Sequence, residues 1–118
     1  MSTRSRIGIL HEDGTTETVY CHCDGYPDYM MPTLTEHYST IEKVQALLAL
    51  GDLSFLGECL APEDGKDATV AYHRDRGERL TPAQKHSSID ELTASDWQID
   101  YFYLFDKASG AWLPPIRG

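Results

Sequence analysis

Between residues 99 and 106, Ile99, Tyr101, Tyr103 and Phe105 alternate with Asp100, Phe102, Leu104 and Asp106. A two-residue period of this kind puts successive side chains on opposite faces of a β-strand. Here both faces carry aromatics. The period changes in the middle of the chain, where Ile41, Val44, Leu47 and Leu48 recur at helical spacing. A capping box at Ser39-Thr40-Ile41-Glu42 and a glycine at 51 bound that segment, predicting a helix over about 40–50. Thr33-Leu34-Thr35-Glu36 predicts the opening of a short helix before it, and Ser88-Ile89-Asp90-Glu91 opens another that runs to about Ala94.

Near the start, RIGILHE and TETVYCHC flank Asp13-Gly14, a strong signal for a hairpin with a two-residue turn. That turn would set Ile9 against Thr18 and Ile7 against Tyr20. Leu10, Val19, Cys21 and Cys23 would share the other face. Apolar residues on both faces predict a hairpin covered on both sides or lying in mid-sheet. Residues 52–57 read as an apolar hook against the helix and 57–67 as a polar loop. Residues 68–74 (ATVAYHR) read as a strand, and 75–86 as a charged, turn-rich connection. A last strand at AWL is stopped by Pro114-Pro115. The expected order is β-β-α-β-α-β-β: one α+β domain over 1–118, with an antiparallel-rich sheet and helices packed on one face.

A chain of 118 residues can bury a core without disulfide or metal staples. Its 19 acids against 10 basic residues give a net charge of −9, a field that repels phosphates and favours basic protein surfaces. Direct nucleic-acid binding is therefore not expected. MSTRSRIGIL carries two arginines with no apolar stretch after them. Ala46–Leu50 falls far short of the roughly twenty apolar residues of a membrane span. The expectation is a cytoplasmic protein with reduced thiols and no membrane contact.

The candidate chemistry concentrates in YCHCDGYPDYM, residues 20–30. His11, Cys21, His22 and Cys23 are zinc-ligand types, but Cys-x-Cys with one nearby histidine lacks paired-knuckle spacing, and His22 would point away from both thiols. The reading adopted is a strand whose cysteines fill interior space and whose end is turned by Asp24-Gly25, with Gly25 supplying positive φ. Tyr26 and Tyr29 would pack their rings and leave their hydroxyls in water. Asp24 stands within reach of His22, able to orient it and raise its pKa. A second candidate is Tyr72-His73-Arg74-Asp75-Arg76, where Arg74 and Arg76 could grip a phosphate or carboxylate. No phosphate-binding glycine loop, nucleophile elbow or metalloprotease motif occurs.

With its Thr3-Arg4 start, its hairpin and its Tyr-x-His-x-Asp-Gly-Tyr-Pro segment (Tyr20, His22, Asp24, Gly25, Tyr26, Pro27), the chain resembles a family of small phage- and bacterium-encoded proteins. LTEHY, KVQALLALGDLSFLG, AYHRDRGE and the terminal YFYLF hairpin extend the resemblance over most of the chain. It implies a setting, phage or prophage in a bacterial host, and not a reaction. Members often carry tryptophan where this chain has Cys23, an exchange foreign to a metal ligand.

The expected function is protein–protein binding by a small acidic accessory protein, its partner presenting a basic surface. One specific form is an inhibitor of a nucleic-acid-handling defence complex. Asp24, Asp28, Glu36, Glu42, Asp90, Glu91 and Asp96 would supply the acidic face. The alternative is an enzyme or a small anion- or nucleotide-binding module using His22, Asp24, Arg74 and Arg76, with Tyr26 beside them. A third reading is a homo-oligomer paired through strand 99–105. No metal or cofactor is expected.

Overall fold

The computed structural model describes residues 3–118, so Met1 and Ser2 of the N-terminal motif lie outside the described residues. The strands are β1 (Ser5–Leu10), β2 (Thr16–Cys21), β3 (Leu53–Phe55), β4 (Val70–Ala71), β5 (Gln84–His86), β6 (Tyr101–Asp106), β7 (Ala111–Trp112) and β8 (Ile116–Arg117). The helices are α1 (Pro27–His37), α2 (Ile41–Leu48), α3 (Tyr72–Arg76) and α4 (Ile89–Ala94). The sheet runs β4-β3-β2-β1-β6-β7, with β5 also paired to β2 and β8 to β6.

The class is α+β, and the sheet is mixed. Antiparallel pairs outnumber parallel ones, but β1 and β6 run parallel along their whole length, and β2 meets β3 in parallel at Cys21 and Leu53. The β1–β2 hairpin lies in mid-sheet, as its two apolar faces require. Its register differs from a two-residue turn: Ile7 pairs with Val19 and Ile9 with Glu17. The loop spans residues 11–15, closed by His11 N–H donating to the Thr15 carbonyl, while Asp13 accepts from Thr15 N and Thr15 Oγ1. A one-residue shift exchanges faces. Ile7 and Ile9 therefore join Val19 and Cys21, not Thr18 and Tyr20.

On that face they meet Leu53, Tyr103 and Phe105 of the sheet, and α1 and α2 close over them with Met30, Leu34, Tyr38, Val44 and Leu47. Each such side chain taken out of water contributes about 1.5–3 kcal/mol. Tyr38 donates its hydroxyl to the Gly57 carbonyl at 2.7 Å, and Trp112 Nε1 donates to the Tyr38 carbonyl at 2.9 Å. The opposite face carries Phe102 and Leu104, covered by Ile99 and by Leu92 of α4. The two longer helices thus share one face, and short α4 adds a small second layer behind the sheet.

Local chemistry explains the elements and the departures from expectation. Thr40 caps α2 by accepting from Lys43 N, one residue later than the capping box placed it, and Ser88 caps α4 by accepting from Glu91 N. Gly51 takes φ +76 beyond α2, the left-handed geometry that favours glycine there. The expected helix start at Thr33 is corrected: α1 begins at Pro27, because proline in the first turn lacks only an N–H that would have no helical partner. Thr33 Oγ1 bonds back to the Tyr29 carbonyl at 2.7 Å.

The strand expected over 68–74 reduces to β4, since the chain turns into α3 at Tyr72. Asp75 accepts from Ala71 N at 2.8 Å and Arg76 lies over the Tyr72 ring at 5.3 Å, which together favour the helical turn. The apolar hook at 52–57 contains β3, and the charged connection contains β5; both are short strands without a full apolar alternation. Strand β6 has β1 on one side and β8 and β7 on the other, so the expected pairing of this strand between two copies is closed off.

Candidate functional site

Residues 20–27 run from the end of β2 into α1. Cys21 is fully buried, and burial pushes its thiol up to about 12, so it is an inert part of the core as the interior reading expected. His22 points off the other side, and its Nδ1 lies 2.7 Å from the Tyr20 hydroxyl. The expected His22–Asp24 orientation is therefore corrected: the partner is Tyr20, two residues back on the same strand face. Burial raises the Tyr20 hydroxyl above the ordinary tyrosine range.

The turn also reverses its expected roles. Asp24, not Gly25, holds the left-handed conformation, at φ 55. Gly25 is needed for space: its N–H donates to the Thr3 carbonyl at 2.9 Å, and its carbonyl accepts from the buried Tyr103 hydroxyl at 2.6 Å. The Tyr26 and Tyr29 rings meet at 6.3 Å, tilted by 55°, but Tyr29 donates its hydroxyl to the Leu56 carbonyl at 2.6 Å, whereas Tyr26 is exposed.

Arg74 and Arg76 sit on α3. Arg74 is taken up by Asp75 at 3.0 Å and by the Thr69 carbonyl at 2.9 Å, and Arg76 by the Tyr72 ring. Among the described residues no hydrogen bond or ion pair joins either arginine to His22 or Asp24. Each half of this expected anion site is satisfied locally, which is what a structural contact looks like.

The expected acidic face divides. Asp28, Glu36 and Glu42 are exposed on α1 and α2, whereas Asp90 and Glu91 are exposed on α4, behind the sheet. Asp24 and Asp96 are half-buried. The second group lies in residues 90–100, DELTASDWQID, which carry Asp90, Glu91, Asp96 and Asp100 and no lysine or arginine. Asp96 makes a turn by accepting from Gln98 N at 2.9 Å, and Trp97 projects from it 88% exposed. Beside Trp97 a groove of about 410 Å3 is lined by Ile99, Tyr101 and Arg117.

An indole left in water in a chain with a well-filled core stands out from scattered surface apolar residues. Sequence reasoning missed Trp97. The one available signal was its place between a helix end and a strand, outside either hydrophobic period. Among the described residues no helix is long and apolar enough to cross a membrane, and no three His, Cys, Asp or Glu side chains converge as a metal site. Comparison with protein-family models, with curated proteins and with solved structures finds no match.

Proposed function

We propose that the protein is a binding module of the phage or prophage accessory type, which docks on a basic protein surface through residues 90–100. The observation that carries the reading is Trp97, 88% exposed within a segment that carries four acids and no lysine or arginine. Tryptophan is among the residues that dominate interface energies, because one rigid ring removes a large apolar area from water. The surrounding carboxylates would steer a basic partner and fix its register. A channel built for nucleic acid presents such a basic surface, and the net charge of −9 suits its occupation by this chain. Inhibition of a host nucleic-acid-handling or defence complex is the specific form this takes.

The test is capture from bacterial lysate on the immobilised whole chain, with washes of rising salt. The expected result is a partner released by salt and lost on Trp97→Ala, and weakened by the double change Asp90→Lys, Glu91→Lys. A partner retained equally by both variants and indifferent to salt would overturn the reading, as would finding no specific partner. The homo-oligomeric alternative is scored in the same preparation by sedimentation: a dimer that Trp97→Ala dissociates replaces the foreign partner with a second copy.

A further inference from the structure

The turn that carries Trp97 is held from outside its own segment. Asp96 starts it, its carboxylate accepting from Gln98 N at 2.9 Å and its carbonyl from Ile99 N at 3.4 Å. Ile99 then buries its side chain with Leu92, Phe102 and Leu104 behind the sheet. Arg4, half-buried just ahead of β1, engages the residues that follow Trp97. Its backbone N–H donates to Asp100 Oδ2 at 2.9 Å, and its carbonyl accepts from Asp100 N at 2.9 Å. The Asp100 carbonyl in turn accepts from Gly118 N at 2.9 Å.

Those backbone contacts continue the β1–β6 ladder, which begins at Ser5 and Tyr101. The Arg4 side chain goes further. Its Nη1 donates to Gln98 Oε1 at 2.9 Å, a bond across 94 positions of sequence to the residue next to Trp97. Arg6 acts on the same turn at longer range. It is 6% exposed, donates to Thr18 Oγ1 at 2.8 Å and forms no ion pair among the described residues. Burial lowers its pKa, and the charges of Asp52 and then Asp96 work against that. The carboxylates of Asp96 and Asp100 are therefore occupied in building the turn, whereas Asp90 and Glu91 lie exposed on α4.

A loop that has to be ordered on binding gives up part of its contact energy, and a loop already fixed does not. We propose that Arg4 is a positioning residue of the Trp97 surface: its guanidinium fixes the turn at 96–98 before a partner arrives, so that the indole leaves the protein in one direction. The role rests on Trp97 being the docking anchor. The fixing of the turn does not, and it is measured on the free chain.

The test is backbone NMR relaxation of the whole chain without a partner. The amides of 96–98 should match those of β6, with order parameters of about 0.85. Arg4→Met keeps the apolar stem and removes the donor. It should bring 96–98 below about 0.6 while β1 and β6 keep their values. Gln98→Ala, which leaves every charge in place, should do the same. Arg4→Lys can still donate to Gln98 and should restore most of the order. With the partner isolated in the lysate capture, Arg4→Met should speed dissociation about ten-fold.

A turn already mobile in the unaltered chain overturns the proposal, and so does a turn that stays rigid in Arg4→Met. Equal loosening of β1 and β6 overturns it as well, because Arg4 would then hold the fold and not the turn. Undiminished partner retention by Arg4→Met has the same force. A partner captured through Trp97 together with a mobile turn sinks this inference alone. A rigid turn with no partner sinks the docking reading, and the role of Arg4 with it.

Discussion

A methyl group at Gly25 would stand 2.7 Å from the Thr3 carbonyl oxygen and 2.8 Å from Ser5 Oγ. Gly25→Ala should therefore destabilise the fold by about 1–3 kcal/mol, the usual range for overfilling a packed site. Asp24→Gly relieves a left-handed aspartate while adding freedom to the unfolded chain, so urea denaturation should show a change of no more than about 1 kcal/mol. Equal losses from both would contradict this division of roles. Cys21 makes a kinetic prediction. With its thiol pushed up to about 12 in the core, alkylation at mildly basic pH should proceed only through unfolding, and mass spectrometry should find partly exposed Cys59 modified first. The burial of Cys21 was legible in the sequence, because cysteine in an apolar strand behaves as a small hydrophobe. The partner of His22 was not, since either neighbour two residues away satisfies it.

Among the elements, α3 has its start tied by the Asp75 carboxylate, which accepts from Ala71 N. Arg74 foremost, then the Ala71 N–H, hold Asp75 below the ordinary aspartate range. A lowered folded-state pKa means that this support is present at neutral pH and is lost as pH falls below about 4. Amide-exchange protection at Ala71 should drop through that range. Asp75→Asn should lower it at neutral pH and remove the acid dependence; unchanged protection in that variant would refute the cap. The cap at Ser88, the start of α2 to within one residue and the aromatic alternation of β6 were legible because they are local. Strands β3 and β5 were not, and β4 was legible only within a longer expected strand: two or three residues carry no period, and ladder hydrogen bonds from β2 and its neighbours make them strands. The hairpin register failed for a related reason, since Asp13 uses its carboxylate to build a longer loop than Asp-Gly alone suggests.

For the whole molecule, the distinction that matters is between side chains that hold the fold and those that stay outside it. Trp97→Ala should leave the unfolding free energy within about 0.5 kcal/mol, as for other surface changes, while abolishing partner capture. A large loss of stability would mean that the indole supports the fold and would remove it as a docking anchor. Class, the positions of α2 and α4, and acidity were determined by the sequence alone, through periods, caps and charge that each act over a few residues. The insertion of β1 between β2 and a parallel β6, the separation of the acids onto two sides, the bare indole and the bonds from Arg4 to its turn were decided only by tertiary structure. Backbone hydrogen-bonding groups are the same at every residue but proline, so strand neighbours are chosen by packing between distant segments, and exposure by whatever those segments leave uncovered.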